Sequence, residues 1–147
     1  AKSVGADSIL LIAAVLSRDE VTTLTSFAHD LKMEVILEIH DKEELLKIPD
    51  AMTIVGINNR NLKTFEVDIA HSEKLLRLLP KDCIKIAESG IKTAEDGAKL
   101  LQMGFDGLLI GEQFMATIDP AASCTKFSNK LEKRTSGGQN TFVKKNN

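Results

Sequence analysis

The chain has 147 residues, of which 43% are hydrophobic and 27% charged, with a formal net charge of −2. That length and apolar content suit one soluble domain with its own core. The near-neutral balance gives no electrostatic footprint for nucleic acid or an anionic membrane as partner, and no apolar run reaches transmembrane length. No signal-peptide pattern opens the chain, so a cytoplasmic protein is expected. Cys83 and Cys124 lack the close spacing of a metal motif; they read as reduced structural thiols, with no metal implied.

Short apolar runs alternate with helical patterns along most of the chain. Residues 1–7 read as the last turn of a helix, its stop at Gly5 and the entry to a strand. Strands are expected at 8–12, 34–39, 52–57, 84–87 and 107–110, their near-continuous apolar character being that of a parallel sheet buried on both faces. Between them, 18–31 carries Val21, Leu24, Phe27, Ala28 and Leu31 at helical spacing, 42–47 is a short helix after a capping Asp41, and 69–79 is stopped by Pro80. A helix over 93–103 opens on Thr93 as N-cap and closes at Gly104, and the last, 119–133, has Pro120 in a first-turn position. Five βα units in succession mean an α/β fold. Residues 1–133 form the domain, and the polar, glycine-containing 134–147 is expected to be a disordered tail.

In parallel βα proteins chemistry gathers where strands end. Glu38 lies within an apolar strand and alternates with Leu37 and Ile39, so it points to the face opposite theirs. A carboxylate there is costly unless paired or functional, which makes Glu38 a catalytic candidate. His40 and Asp41 follow, but no nucleophile accompanies them, and both read as structural. The third strand empties into Asn58, Asn59, Arg60 and Asn61. Asn58 is the first polar residue and the one placed to face inward; Arg60 offers a planar fork of donors to a carboxylate or phosphate. Asparagines also cap loops, and that reading stands beside the functional one. The fourth strand ends in Glu88, Ser89 and Gly90, and the fifth in Gly111 and Glu112. Glycine lets backbone approach a ligand, so two such strand ends, one βα unit apart, point to phosphate binding.

The block 56–68, GINNRNLKTFEVD, closely resembles the strand-six loop of indole-3-glycerol phosphate synthases. The likeness extends over about residues 5–120, through ADSILLIAA at 6–14, LEIHD at 37–41, AESGI at 87–91 and IGE at 110–112. It implies strands four to eight of a (β/α)8 TIM barrel. It implies a carboxy-lyase of tryptophan biosynthesis that closes a ring on a carboxyphenylamino-deoxyribulose phosphate, then loses carbon dioxide and water, with no cofactor. By that resemblance Glu38 is the acid-base carboxylate, Asn58 orients the reacting group with Arg60 close by, and Glu88 and Ser89 meet the substrate. Gly90, Gly111 and the backbone of Glu112 form the phosphate cradle.

The family's first three βα units have no counterpart here, including the strand-one glutamate and lysine and the strand-three lysine that acts as general acid. The chain is therefore expected to be part of a synthase, inactive alone, with open sheet edges that invite self-association or pairing with an N-terminal half-barrel. Two alternatives remain: another ribose-phosphate barrel such as phosphoribosylanthranilate isomerase, against which the Asn58–Leu62 block argues, and a non-catalytic half-barrel assembly module.

Overall fold

A computed structural model describes residues 1–60 and 69–135. Five strands, β1 (Ser8–Ile12), β2 (Glu34–Ile39), β3 (Ile54–Asn58), β4 (Ile84–Glu88) and β5 (Gly107–Leu109), form one sheet in sequential order. Every neighbouring pair is parallel. Parallel neighbours need a crossover, and the intervening helices supply it. They are α1 (Arg18–Asp30), the 3-10 helix Lys42–Lys47, α2 (Ile69–Leu76) and α3 (Ala94–Met103); α4 (Glu112–Met115) and α5 (Pro120–Thr135) follow the last strand.

Local chemistry starts and stops these elements where the sequence places the signals. Ser17 and Glu20 close a capping box on α1, and Thr93 with Asp96 does the same on α3. Gly104 ends α3 at φ +111°, a left-handed conformation that a Cβ would disfavour. Asp119 accepts the Ala122 N–H at 2.9 Å and so caps α5, with Pro120 as the first helical residue.

Several boundaries differ from the sequence reading. Segment 42–47 is a 3-10 helix rather than an α-helix, and the N-terminal helical turn is a single 3-10 turn over Lys2–Val4 closed by Gly5. Helix α2 ends at Leu76, before the run up to Pro80, and α5 continues to Thr135, so Arg134 and Thr135 belong to a helix and not to a tail. The rest of the expected tail, 136–147, and Asn61 with the remainder of its block to Asp68 lie outside the described residues. Cys83 is buried as expected, whereas Cys124 is exposed on α5.

The two faces of the sheet have different surroundings, which the expectation of burial on both sides did not foresee. One face carries Val35, Leu37, Ile39, Val55, Ile57 and Ala87, all fully buried in a core completed by Val21 and Ala28 of α1, Leu75 and Leu76 of α2 and Leu100 of α3. On α1 the buried stripe is Val21, Thr25 and Ala28, while Phe27 is 63% exposed. The other face bears Leu10, Ile84 and Leu109 at 39%, 49% and 44% exposure, with Ile36, Ile54 and Ile86 half-buried. This open face carries the polar residues of interest, because strand alternation puts Glu38, Asn58 and Glu88 on it.

Candidate active site

Glu38 is the penultimate residue of β2, Asn58 the last of β3 and Glu88 the last of β4. The register pairs Glu38 with Gly56 and Asn58 with Glu88, so the three polar side chains occupy adjacent rows at one rim of the sheet. Glu38 and Glu88 are only 8% and 2% exposed. The Asn58 amide makes two contacts. Its Nδ2 donates to Glu38 Oε1 at 3.2 Å, while its Oδ1 accepts the Arg60 N–H at 2.9 Å and shapes the loop.

Glu88 is held well above the usual carboxylate range, at about 8; burial is the main cause, followed by its hydrogen bond to Glu38 and the charge of Glu38. Two buried carboxyls in contact cannot both ionise cheaply, so the pair retains a proton at neutral pH, with Glu88 its principal holder. His40, read from sequence as structural, belongs to this cluster. Its ring is buried and Nε2 lies 3.6 Å from Glu38 Oε1. The signal was available: His40 is two residues beyond Glu38 and therefore continues along the same face.

A cavity of about 270 Å³ lies at the same rim, lined by residues including Arg60, Ser89, Gly90, Lys92, Gly111 and Glu112. The sequence-derived binding residues thus gather around one space, next in the chain to the carboxyl pair. Arg60 is half-buried and forms an ion pair with the exposed Glu112 carboxylate at 2.7 Å. Lys92, a cation on the same wall, was not singled out by sequence; a lone lysine after a strand end carries no distinguishing pattern.

The two glycines of the cavity play different parts. Gly90 has φ +71° and needs to be glycine for its backbone shape. Gly111 has no such requirement, at φ −119°, and a Cβ built on it would meet nothing within 4 Å, so its lack of a side chain leaves the cavity wall open. Ser89 also takes a positive φ, +64°, which is uncommon for a residue with a Cβ. Asn59 holds that turn. Its buried Nδ2 donates to the carbonyls of Glu88 and Ser89, both at 2.9 Å, and its Oδ1 accepts from Ser72 Oγ of α2 at 2.5 Å. Asn59 also donates its backbone N–H to the Glu88 carbonyl at 2.8 Å. A side chain that ties three elements is the physical support for a strained turn at the cavity wall.

Comparison with known proteins gives this geometry a family. The family model described as indole-3-glycerol phosphate synthase matches residues 1–127. The indole-3-glycerol phosphate synthase of Bacteroides thetaiotaomicron is 45% identical over 132 residues, covering 90% of this chain and 51% of the relative. That of Aliarcobacter butzleri is 48% identical over 128 residues, covering 86% of this chain and 49% of the relative. The chain thus spans about half the length of these relatives. Among solved structures, 3-hexulose-6-phosphate synthase from Salmonella typhimurium superposes with a TM-score of 0.66 at 12% identity, over 90% of this chain and 65% of that one. Thiamine phosphate pyrophosphorylase from Pyrococcus furiosus does so with a TM-score of 0.66 at 17% identity, over 92% and 62%. At such identities the structural likeness speaks for the fold alone, a part of a (β/α)8 barrel. Among the described residues no helix is long and apolar enough to cross a membrane. The chain belongs to the indole-3-glycerol phosphate synthase family.

Proposed function

We propose that this chain supplies the strand-five to strand-eight side of the active site of an indole-3-glycerol phosphate synthase, a carbon–carbon lyase of tryptophan biosynthesis. The observation that carries the reading is the pair of buried carboxyls, Glu38 and Glu88, with Glu38 accepting a hydrogen bond from Asn58, at one sheet rim and adjoining a cavity with two cations. The substrate is an anion with a phosphate, a ring carboxylate and a carbonyl. Its phosphate sits against the backbone of Gly90, Gly111 and Glu112, beside Lys92, with Arg60 leaving Glu112 for the ligand's own charge.

Ring closure forms a carbon–carbon bond at the carbonyl carbon, and the carbonyl oxygen takes up a proton to become a hydroxyl. Carbon dioxide then leaves the ring carbon; the hydroxyl takes up a second proton and departs as water, while the neighbouring carbon attached to the nitrogen gives up a proton, which forms the ring double bond. The Glu38–Glu88 pair holds one exchangeable proton at this rim, so Glu88 is suited to donate and Glu38 to accept. Asn58 fixes Glu38 by its amide N–H. Ser89 contacts the substrate from the turn that Asn59 holds. The strand-one and strand-three groups of the family lie outside this chain, so the chain alone is expected to bind but not to turn over.

The test is a chimera in which this chain replaces the matching part of the Bacteroides thetaiotaomicron relative. Synthase turnover by the chimera, together with amide shifts at Gly90 and Gly111 when indole-3-glycerol phosphate is titrated into the chain itself, is the expected result. A folded chimera with neither turnover nor product binding would refute the reading.

A further inference from the structure

Gly56 sits mid-strand in β3, in register with Glu38 on β2 and with Ile86 on β4. It precedes Asn58 by two residues and so belongs to the same open face. Glycine in a strand interior weakens the strand and normally marks a bulge or a close approach by another group. The register through Gly56 is continuous on both sides, which leaves close approach as the reason.

The approaching group is identified by geometry. A Cβ placed on Gly56 would lie 1.8 Å from Glu88 Oε1, 2.7 Å from Glu88 Cδ and 3.3 Å from Glu88 Cγ, and no other group comes nearer. The space that any other residue would fill with its first side-chain carbon is occupied by the Glu88 carboxyl group. That space lies directly between Glu88, rooted on β4, and Glu38, rooted on β2, which are two strands apart and would otherwise be separated by the β3 side chain of this row. We propose that Gly56 is a positioning residue, whose missing side chain forms the seat that brings the Glu88 carboxyl across β3 to Glu38. The inference rests on the proton-holding role given above to the two carboxyls and names the residue that makes their contact sterically feasible.

The groups that face the seat are Glu38 from β2, with the His40 ring 3.6 Å from it, Asn58 from β3 and Glu88 from β4. The obstructed atoms are the far end of a flexible side chain and not backbone. A methyl group at position 56 is therefore expected to turn the Glu88 carboxyl away while the sheet persists. Once turned away it loses both burial and the neighbouring charge, the two causes of its raised proton affinity.

The experiment is a carboxyl ¹³C NMR titration of the chain labelled at glutamate, with Glu88→Gln identifying the Glu88 resonance. In the unaltered chain Glu88 should titrate near 8. In Gly56→Ala its midpoint should fall by more than about one pH unit toward the ordinary carboxylate range. A Glu88 midpoint unchanged in a folded Gly56→Ala chain would overturn the inference. Should Gly56→Ala fail to fold, the same alanine in a Glu88→Ala background is expected to fold, since its obstruction has been removed. If that double variant is also unfolded, the obstruction lies elsewhere and the inference fails. No substrate enters either measurement, so an inactive chimera would count against the synthase reading and leave this result standing.

Discussion

Replacing Glu88 by glutamine keeps the shape of the side chain and removes its proton equilibrium, which isolates the energetic consequence of burying this carboxyl. In the folded chain Glu88 protonates at about 8, against an ordinary value of 4.5. Between those limits the folded state binds more protons than the unfolded chain. Stability contributed by the buried acid is complete below pH 4.5 and is lost as the pH rises through about 8. Stability thus falls with rising pH in this window, the reverse of a salt-bridged glutamate. The slope is on the order of 1 kcal/mol per pH unit, since one unit of pKa corresponds to about that energy. Urea denaturation of the parent chain and of Glu88→Gln at intervals from pH 5 to pH 8 measures the difference. Groups outside the Glu38–Glu88 pair are common to both chains and cancel to first order. The parent should lose ground to the variant steadily as the pH rises. A difference that stays flat, or that moves in the parent's favour, would refute the reasoning that Glu88 is a buried, protonated partner of Glu38.

Asn59→Ala removes the three side-chain hydrogen bonds to Glu88, Ser89 and Ser72, while the Glu88 carbonyl keeps the backbone N–H of residue 59; it should cost about 2 kcal/mol in urea denaturation and broaden the Ser89 and Gly90 amide signals. Gly90→Ala forces a Cβ into φ +71° and should cost about 1 kcal/mol, with weaker retention of phosphate esters in the same amide titration. In the chimera, Glu38→Gln should lower kcat by about 10²-fold or more with little change in KM, because it removes a proton-transfer group and keeps the shape; steady-state kinetics decide. The open face should make the chain associate at rising concentration, and Leu10→Lys with Ile84→Lys should return it to monomer in sedimentation velocity.

The βα order, the cap at Thr93, the first-turn Pro120 and the stop at Gly104 were legible in the sequence because each depends on a few consecutive residues, whereas the caps at Ser17 and Asp119 were found only in the structure. The rim position of Glu38, Asn58, Glu88, Arg60, Gly90 and Gly111 was legible for a related reason: in a parallel sheet the place where an apolar run ends is also a place in space. Burial of only one sheet face was not legible, since Ile36 and Leu37 are equally apolar and only the docking of α1, α2 and α3 on one side distinguishes them. Nor were the partners of each polar atom. Asn58 and Asn59 are neighbours of identical type, yet strand alternation turns Asn58 to Glu38 on the open face and Asn59 to Ser72 and the Ser89 turn. Local propensity reads one residue and its near neighbours. A carboxyl that crosses the place of an absent Cβ to meet another carboxyl two strands away exists only once the register is set.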